Sequence, residues 1–279
     1  MLVARVVSGV LRIKDHFNLK IRGLISRSQI EEKFLGRILL DSLVARLIHI
    51  LKWVWFLMNP KYDYMGWAGR TTHDSMSRYA INRYNPSNFF LWDRIDIRES
   101  KSVLEIGCNS GNRIIDFAKR NSSTLFHGYD INAPAIELGN HLAENENIAN
   151  LRFFVKDVSD LEFNDLTNHV NYDVVISWAT LIYVHPRKIR RVIQFIVECT
   201  NKRIILIEQQ SLRVTKFTLF RGGVPIFLEP TWRRNYLELI SLASNRKFNY
   251  NICEVPEEIW NPGGGSALAL IIDFEETLC

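Results

Sequence analysis

The sequence has few cysteines and none in a metal-binding pattern. Its 279 residues include four cysteines, none in a Cys-x-x-Cys pair, and the seven histidines add no zinc-ligand spacing. We therefore expect no metal site. Scattered cysteines are typical of a reducing compartment, so the chain is expected to be cytoplasmic.

The sequence also lacks an apolar run suited to crossing a membrane. The longest apolar stretch, residues 38–58, is interrupted by Asp41, Arg46, His49 and Lys52, which makes a spanning helix costly. Residues 1–58 leave three interpretations open: an amphipathic segment on an anionic membrane surface, a helical extension packed on the main domain, or a targeting peptide. In the first case the protein would lie on the inner face of the membrane.

A basic excess is missing from most of the chain. Residues 1–60 hold ten Lys or Arg and four Asp or Glu, a balance of +6, whereas the remaining residues hold 25 and 26, a balance of −1. A nucleic-acid groove needs a basic face. We therefore expect no nucleic-acid partner for the domain that follows residue 60.

What the sequence does have is a strand that enters a loop of small residues. The run 102–112 reads Ser-Val-Leu-Glu-Ile-Gly-Cys-Asn-Ser-Gly-Asn, and a helical apolar pattern follows it. A strand, a tight loop and a helix N-terminus together make a nucleotide-binding turn. The spacing Glu105-x-Gly107-x-Asn109-x-Gly111 is shorter than the Gly-x-Gly-x-x-Gly of dinucleotide binders, and it suits a ligand without a pyrophosphate.

Predicted strands and helices alternate after this loop. Further strands are predicted at 124–130, 151–157, 172–177 and 203–208, with helices at 133–144 and 187–198 between them. A helix at 232–243 and two strands at 248–255 and 266–274 complete the pattern. Strands that alternate with helices predict an α/β fold with a mostly parallel sheet and right-handed crossovers.

This arrangement resembles the class I S-adenosylmethionine-dependent methyltransferases, best over residues 100–210. The resemblance implies a Rossmann-like, doubly wound sheet of seven mostly parallel strands with an antiparallel C-terminal hairpin, and S-adenosylmethionine as the cofactor. The family usually has glycine at position 109, where asparagine is the next most tolerant residue for a positive φ. The implied cofactor contacts are Glu105, Gly107, Asn109 and Gly111 around the methionine part, Asp130 on the ribose hydroxyls, Asp157 and Val158 at the adenine, and Ser177 at the end of the fourth strand.

The methyl acceptor is expected beyond the fourth strand, because ligands bind at the carboxyl ends of parallel strands. The chain lacks the Asn/Asp-Pro-Pro-Tyr motif of nucleic-acid and glutamine amino methyltransferases, and no Asp-Asn pair marks a catechol-type metal site. His185 is the candidate general base, although His185-Pro186 also suits the start of a helix. The other candidate substrate contacts are Trp67, His73, Arg78, Tyr79, Trp178 and Tyr183.

The sequence is thus interpreted in three segments. Residues 1–60 are a basic helical extension, and residues 101–279 are the methyltransferase domain. Residues 61–100, rich in aromatic and Arg side chains, are a lid over the cofactor or a loop packed on the sheet edge. The expected reaction is O-methylation of a sugar hydroxyl on a surface glycan or lipid-linked intermediate. The alternatives are an isoprenoid, quinone or small-metabolite acceptor, or a non-catalytic scaffold that binds the cofactor.

Overall fold

A computed structural model describes the domain that carries the predicted sheet. The chain divides into two units, Met1–Tyr62 and Asp63–Cys279, and every described residue lies in the second. The predictions for residues 1–60, and those for Trp67, His73, Arg78 and Tyr79, lie outside the described residues. The described residues are 68, 86–94, 99–161, 171–210, 212, 224–225, 231–256, 259 and 267–275.

The centre of the domain is a seven-stranded sheet, whose strands lie in the order β3 Leu151–Val155, β2 Leu125–Asp130, β1 Ser102–Ile106, β4 Tyr172–Trp178, β5 Thr200–Glu208, β9 Leu268–Phe274 and β8 Phe248–Glu254. Strands β1 to β5 pair in parallel, and β9 runs antiparallel to both of its neighbours, β5 and β8. The predicted Rossmann-like sheet with an antiparallel C-terminal hairpin is confirmed.

Helices connect and flank the strands. In the part of the chain that is described, they are α1 Pro86–Trp92, α2 Asn112–Arg120, α3 Ala133–Asn145, a 3₁₀ turn at Leu181–Tyr183, α4 Ile189–Glu198 and α5 Tyr236–Ala243. Asn132 caps α3, since its side chain accepts the Ala135 N–H at 3.0 Å, and a proline stands in the first turn.

Two apolar layers cover the sheet, one on each face. Strands β1 and β4 are buried along their whole length, which is why they read as continuous apolar runs. One layer includes Ile114 and Phe117 of α2; the other includes Ile189 and Ile193 of α4. With both faces covered, the carboxyl ends of the parallel strands are the natural place for a site.

The predicted helix at 232–243 is wrong in its first four residues. Trp232–Arg233 forms strand β7, which pairs antiparallel with Val224–Pro225 as strand β6. The helix begins at Tyr236 because the Asn235 side chain caps it, accepting the Glu238 N–H at 3.1 Å. Periodicity alone does not separate these two strand residues from a helix that follows so closely.

Candidate cofactor and acceptor site

The last two residues of β1 and the loop that follows them, residues 105–111, are together called the donor loop below. Its backbone is positive in φ at Gly107 (75°), Asn109 (50°) and Gly111 (81°), so the departure from glycine at position 109 is accommodated in the left-handed region. The N–H groups of Gly107 and Cys108 donate to the carbonyl of Tyr129 at 2.7 and 3.2 Å. These bonds fix the loop across the end of β2.

Asp130, at the end of β2, holds the donor loop through its carboxylate. Oδ2 accepts the Asn109 N–H at 2.8 Å and Oδ1 accepts the Asn132 N–H at 2.8 Å, with a further backbone bond from Ile131. Burial raises the pKa of this carboxyl, and the three backbone N–H groups oppose the rise. A carboxylate has about four acceptor positions, so capacity remains for a ligand hydroxyl.

Helix α2 begins at the end of the donor loop without a side-chain cap. Its N-cap is Gly111, which has no side chain with which to bond the first turn. The first N–H groups of a helix, with the positive end of its dipole, attract a negatively charged ligand group. The buried Oδ1 of Asn112 has no hydrogen-bond partner among the described residues, so an acceptor is available beside these donors.

Glu105, at the start of the donor loop, forms an ion pair with Arg113 in the first turn of α2. Its buried carboxylate accepts Arg113 Nε at 2.9 Å; burial raises the pKa of Glu105 and the Arg113 charge opposes the rise. The Arg113 guanidinium lies 5.1 Å from the Trp178 ring centroid, and Phe90 of α1 meets the same ring edge-on at 6.4 Å. Trp178 therefore supports the donor loop with a ring that is only 7% exposed.

Asp157 and Val158 follow β3, beside Asp130. The Asp157 carboxylate accepts the Ser159 N–H at 2.8 Å, so part of its capacity closes a local turn. Val158 packs in the core layer that contains Leu181. The placement next to the end of β2 suits the adenine role given to the pair by resemblance, which stays a prediction.

Residues 179–185, called the acceptor segment below, follow β4. At its start, the fully buried carboxylate of Glu208 from the end of β5 collects four donors. Oε1 accepts Ser177 Oγ at 2.8 Å, the Thr180 N–H at 3.1 Å and the Leu181 N–H at 3.0 Å, and Oε2 accepts the Ile182 N–H at 3.3 Å. Burial raises the pKa of Glu208 to about 7 against the effect of these bonds. Ser177 is thus bound to Glu208.

At its far end the acceptor segment is held by Arg234. Its guanidinium is buried and donates from Nη1 to the Leu181 carbonyl at 2.5 Å and from Nη2 to the Val184 carbonyl. Tyr183 lies between these two carbonyls and is half-buried, which leaves its side chain partly accessible.

The acceptor segment touches the donor loop directly. A Cβ built on Gly107 would lie 1.8 Å from Thr180 Oγ1 and 2.5 Å from its Cγ2. The backbone of Gly107 and the side chain of Thr180 are therefore in contact, and only glycine fits at position 107.

His185 ends the acceptor segment and opens the turn that leads into α4. Its carbonyl accepts the N–H groups of Lys188 and Ile189 at 2.9 and 3.1 Å, and its Nδ1 accepts the Arg187 N–H at 3.1 Å. Because Nδ1 is an acceptor, a neutral ring carries its proton on Nε2. His185 is 5% exposed, and its role as a general base stays a prediction.

The Cys108 thiol in the donor loop is not suited to act as a nucleophile. Burial raises the pKa of the Cys108 thiol well above its usual value, and a protonated thiol is a poor nucleophile. Within the described residues no group of three His, Cys, Asp or Glu side chains is arranged for a metal ion. No helix among those residues is long and apolar enough to span a membrane.

The sequence reasoning missed three residues that shape the site: Arg113, Glu208 and Arg234. A signal for Glu208 was present, because it ends β5 as Asp130 ends β2, and acids at strand ends meet at one edge of the sheet. Arg113 stands two residues beyond the last loop glycine. Arg234 lay within the predicted helix at 232–243, where nothing in the sequence pattern connects it to the end of β4.

Known proteins with similar sequences are methyltransferases. A family profile described as a methyltransferase domain matches residues 103–203. A fatty-acid O-methyltransferase from Mycolicibacterium smegmatis is 27% identical over 180 residues, which cover 64% of this chain and 56% of that protein. A tRNA (guanine-N(7)-)-methyltransferase from Photorhabdus laumondii is 27% identical across 38% of this chain and 51% of its own length. The chain thus spans about half the length of these curated relatives.

Solved structures share the fold. An O-methyltransferase from a trans-AT polyketide synthase multienzyme of Brevibacillus brevis, in complex with S-adenosyl-L-homocysteine, has a TM-score of 0.53 at 16% identity, covering 77% of this chain and 80% of that one. The plantazolicin methyltransferase BpumL with S-adenosyl-L-homocysteine has a TM-score of 0.52 at 13% identity, covering 82% and 100%. The family match over residues 103–203, the strand order and the glycine loop after β1 together support the resemblance to the class I S-adenosylmethionine-dependent methyltransferases that the sequence predicts.

Proposed function

We propose that this chain transfers the methyl group of S-adenosylmethionine to an oxygen atom of a small acceptor molecule. The observation that carries the proposal is the donor loop: three positive-φ residues lead into an uncapped helix N-terminus, and the loop is held by a carboxylate with acceptor capacity left. A loop that only connected a strand to a helix would not need that capacity at the end of the neighbouring strand.

Groups next to the donor loop suit the separate parts of the cofactor. The remaining capacity of Asp130 suits a ribose hydroxyl. The first N–H groups of α2 suit the carboxylate of the methionine part, and the buried Oδ1 of Asn112 suits its ammonium group. Asp157 and Val158 are proposed to flank the adenine. When bound, the cofactor supplies an electrophilic methyl group on a sulfonium.

For the acceptor, the first choice is a sugar hydroxyl on a surface glycan or lipid-linked intermediate. A hydroxyl must lose its proton as it attacks the methyl group, which calls for a base, and a histidine stands at the end of the acceptor segment. The similarity to a fatty-acid O-methyltransferase favours a carboxylate as the second choice. A carboxylate is already ionised near neutral pH, so in that case the protein only has to position it.

His185 is proposed as the base for a hydroxyl acceptor, on one structural condition. Its Nδ1 lone pair is used by the Arg187 N–H, and a neutral ring with the proton on Nε2 has no second lone pair to offer. The ring must therefore release Arg187 and present Nδ1 to the acceptor before it takes a proton.

Residues 1–58 are proposed to bring the protein to an anionic membrane surface. They carry the net positive charge and the longest apolar aromatic run of the chain, and each basic residue at such a surface contributes about 1 kcal/mol. The full chain should then sediment with vesicles of phosphatidylserine and phosphatidylcholine, and added salt should weaken the association. Vesicles of phosphatidylcholine alone are the control. Equal binding to both kinds of vesicle would contradict the preference for an anionic surface, and no binding to either would remove the membrane from the proposal.

The deciding experiment for the function has two parts. Calorimetry with S-adenosylhomocysteine should give binding near the micromolar range, about −8 kcal/mol. Methyl transfer from labelled cofactor into separated glycan, lipid and small-molecule pools then identifies the acceptor class. Binding without transfer into any pool would favour a scaffold that binds the cofactor, and no binding would reject the cofactor site.

A further inference from the structure

We infer that Glu208 and Arg234 are positioning residues for methyl transfer, which together hold the acceptor segment, residues 179–185, against the donor loop. The inference rests on the proposed function, because it gives both residues a place in that reaction. Both side chains are buried, at 0% and 1% exposure, and both bond to the backbone of the acceptor segment.

Glu208 fixes the first half of the acceptor segment. Its carboxylate accepts three consecutive backbone N–H groups, those of Thr180, Leu181 and Ile182. These are the donors of a 3₁₀ turn that has no cap from its own N-cap side chain. An acid from a distant strand therefore performs the capping that a neighbouring Asp or Ser would ordinarily provide.

Arg234 fixes the second half of the acceptor segment. Its planar fork spans two carbonyls three residues apart, Leu181 and Val184, which a single ammonium group does not reproduce. A backbone bridge between Arg234 and Gln210 ties this anchor to the chain just beyond Glu208. The acceptor segment is thus held by two residues, Glu208 and Arg234, whose positions are linked to each other.

The grip extends to the donor loop through Thr180. The same residue whose N–H bonds to Glu208 places its side chain on the bare backbone of Gly107. A shift of the acceptor segment therefore changes the surface on which the donor loop rests. A buried charge is a costly way to pack a core, and apolar residues of similar volume often serve stability as well or better, so a buried acid and a buried guanidinium at this point favour a positioning role.

Protonation of the Glu208 carboxylate is expected to weaken its hold on the acceptor segment. Burial raises the pKa of Glu208 to about 7, and the charged or titratable groups that face it are Arg234 and Tyr236. A neutral carboxyl group carries a proton where the backbone offers donors, so it accepts fewer of them. The acceptor segment should accordingly be held best above pH 7.

The test uses the full chain, S-adenosylhomocysteine as the probe, and two conservative variants. Glu208→Gln keeps the shape but does not titrate, and Arg234→Lys keeps the charge but not the fork. The matched controls are Glu198→Gln, an exposed acid at the end of α4, and Arg120→Lys, which pairs with Asp116 on the surface. The measurements are calorimetric affinity between pH 6 and 8.5, and hydrogen exchange of the amides at 180–182.

We expect wild-type affinity to rise several-fold through pH 7 and the affinity of Glu208→Gln to stay level. At pH 8 each of the two variants should bind about 3–10-fold more weakly and lose amide protection at 180–182, while both controls match the wild type. Loss of thermal stability without a change in affinity or in the pH profile would overturn the inference, as would full affinity in Arg234→Lys. If wild-type protein itself fails to bind the probe, the proposed function falls as well, so the two failures are distinguishable.

Discussion

The two halves of the site are built in different ways. On the donor side, the loop 105–111 and Asp130 lie within one strand-helix-strand unit, and the bonds that hold them join neighbouring elements. On the acceptor side, residues 179–185 are held by Glu208 and Arg234, which come from later parts of the chain. The donor half is local in sequence, and the acceptor half depends on contacts across the fold.

This difference has a physical consequence. A local turn with glycines in left-handed conformations forms the same shape in many sequences, so it suits a cofactor that many enzymes share. A segment held by distant buried charges can change when any one of its supports changes. We therefore expect variation on the donor side to affect cofactor affinity directly, and variation on the acceptor side to affect turnover, its pH dependence and, through the contact of Thr180 with Gly107, cofactor affinity as well.

The largest effect is expected for His185, where two substitutions separate its two roles. Both His185→Ala and His185→Asn remove a proton acceptor, so both should lower turnover of a hydroxyl acceptor by about 10²–10⁴. Asparagine can still accept the Arg187 N–H two residues on, so only alanine should reduce stability as well. If His185→Asn keeps full turnover across pH 6–9, the residue starts the helix and the acceptor needs no base.

The donor side should respond most strongly at Gly107. Gly107→Ala puts a Cβ 1.8 Å from Thr180 Oγ1 in a backbone with φ of 75°. Strain at positive φ costs about 1–3 kcal/mol and overpacking costs about 1–3 kcal/mol more, so unfolding in urea should show a loss of several kcal/mol. Adding Thr180→Gly relieves the contact but not the strain, so it should restore part of the loss. A single variant as stable as wild type would contradict this contact between the two halves.

The same contrast explains how far the sequence could predict the site. Gly107 and Asp130 were identifiable because a strand, a glycine loop and an acid at a strand end occur in a fixed order over a short stretch. The two-sided burial of β1 and β4 likewise appears in the sequence as apolar runs. The antiparallel placement of β9 came from the family resemblance and was confirmed.

The role of Arg234 could not be predicted from the sequence. Its contacts with Leu181 and Val184 join residues about fifty positions apart, and no local rule of periodicity or capping links them. The predicted helix at 232–243 also included Arg234, whereas the helix in the structure begins after it, at Tyr236. For His185, sequence placed the residue correctly after β4 but not its Nδ1 bond, which depends on the turn at Pro186.

The pH dependence of stability offers a test of the acceptor side that needs no ligand. The folded pKa of Glu208, about 7, lies above its ordinary value of 4.5. The folded state therefore binds the proton more tightly, and this residue makes stability fall as pH rises from 4.5 through 7, by at most about 3 kcal/mol. Relative to wild type, Glu208→Gln should thus gain stability in urea between pH 5 and pH 8. His127, whose buried ring has a pKa lowered to about 4, acts with the opposite sign in both proteins and cancels in the difference. An equal difference at both pH values would show that Glu208 does not titrate in this range.

The smallest effects are expected where the two acids at neighbouring strand ends are compared. Asp130→Ala removes the acceptor proposed for the ribose and also three backbone bonds, one of them to Asn109 of the donor loop, so it should weaken binding of S-adenosylhomocysteine by about 1–3 kcal/mol. Asp157→Ala loses one turn bond to Ser159 and one contact to the adenine, and about 1 kcal/mol is expected. The surface variant Asp116→Ala, which breaks only an exposed pair with Arg120, should leave affinity unchanged.

If Asp157→Ala binds as tightly as Asp116→Ala, its carboxylate closes a turn and nothing more, and the adenine role carried over from the family does not apply to it. If Asp130→Ala also binds normally, the cofactor is held by the helix N-terminus alone, and the donor half is less dependent on its strand-end acid than the loop geometry indicates.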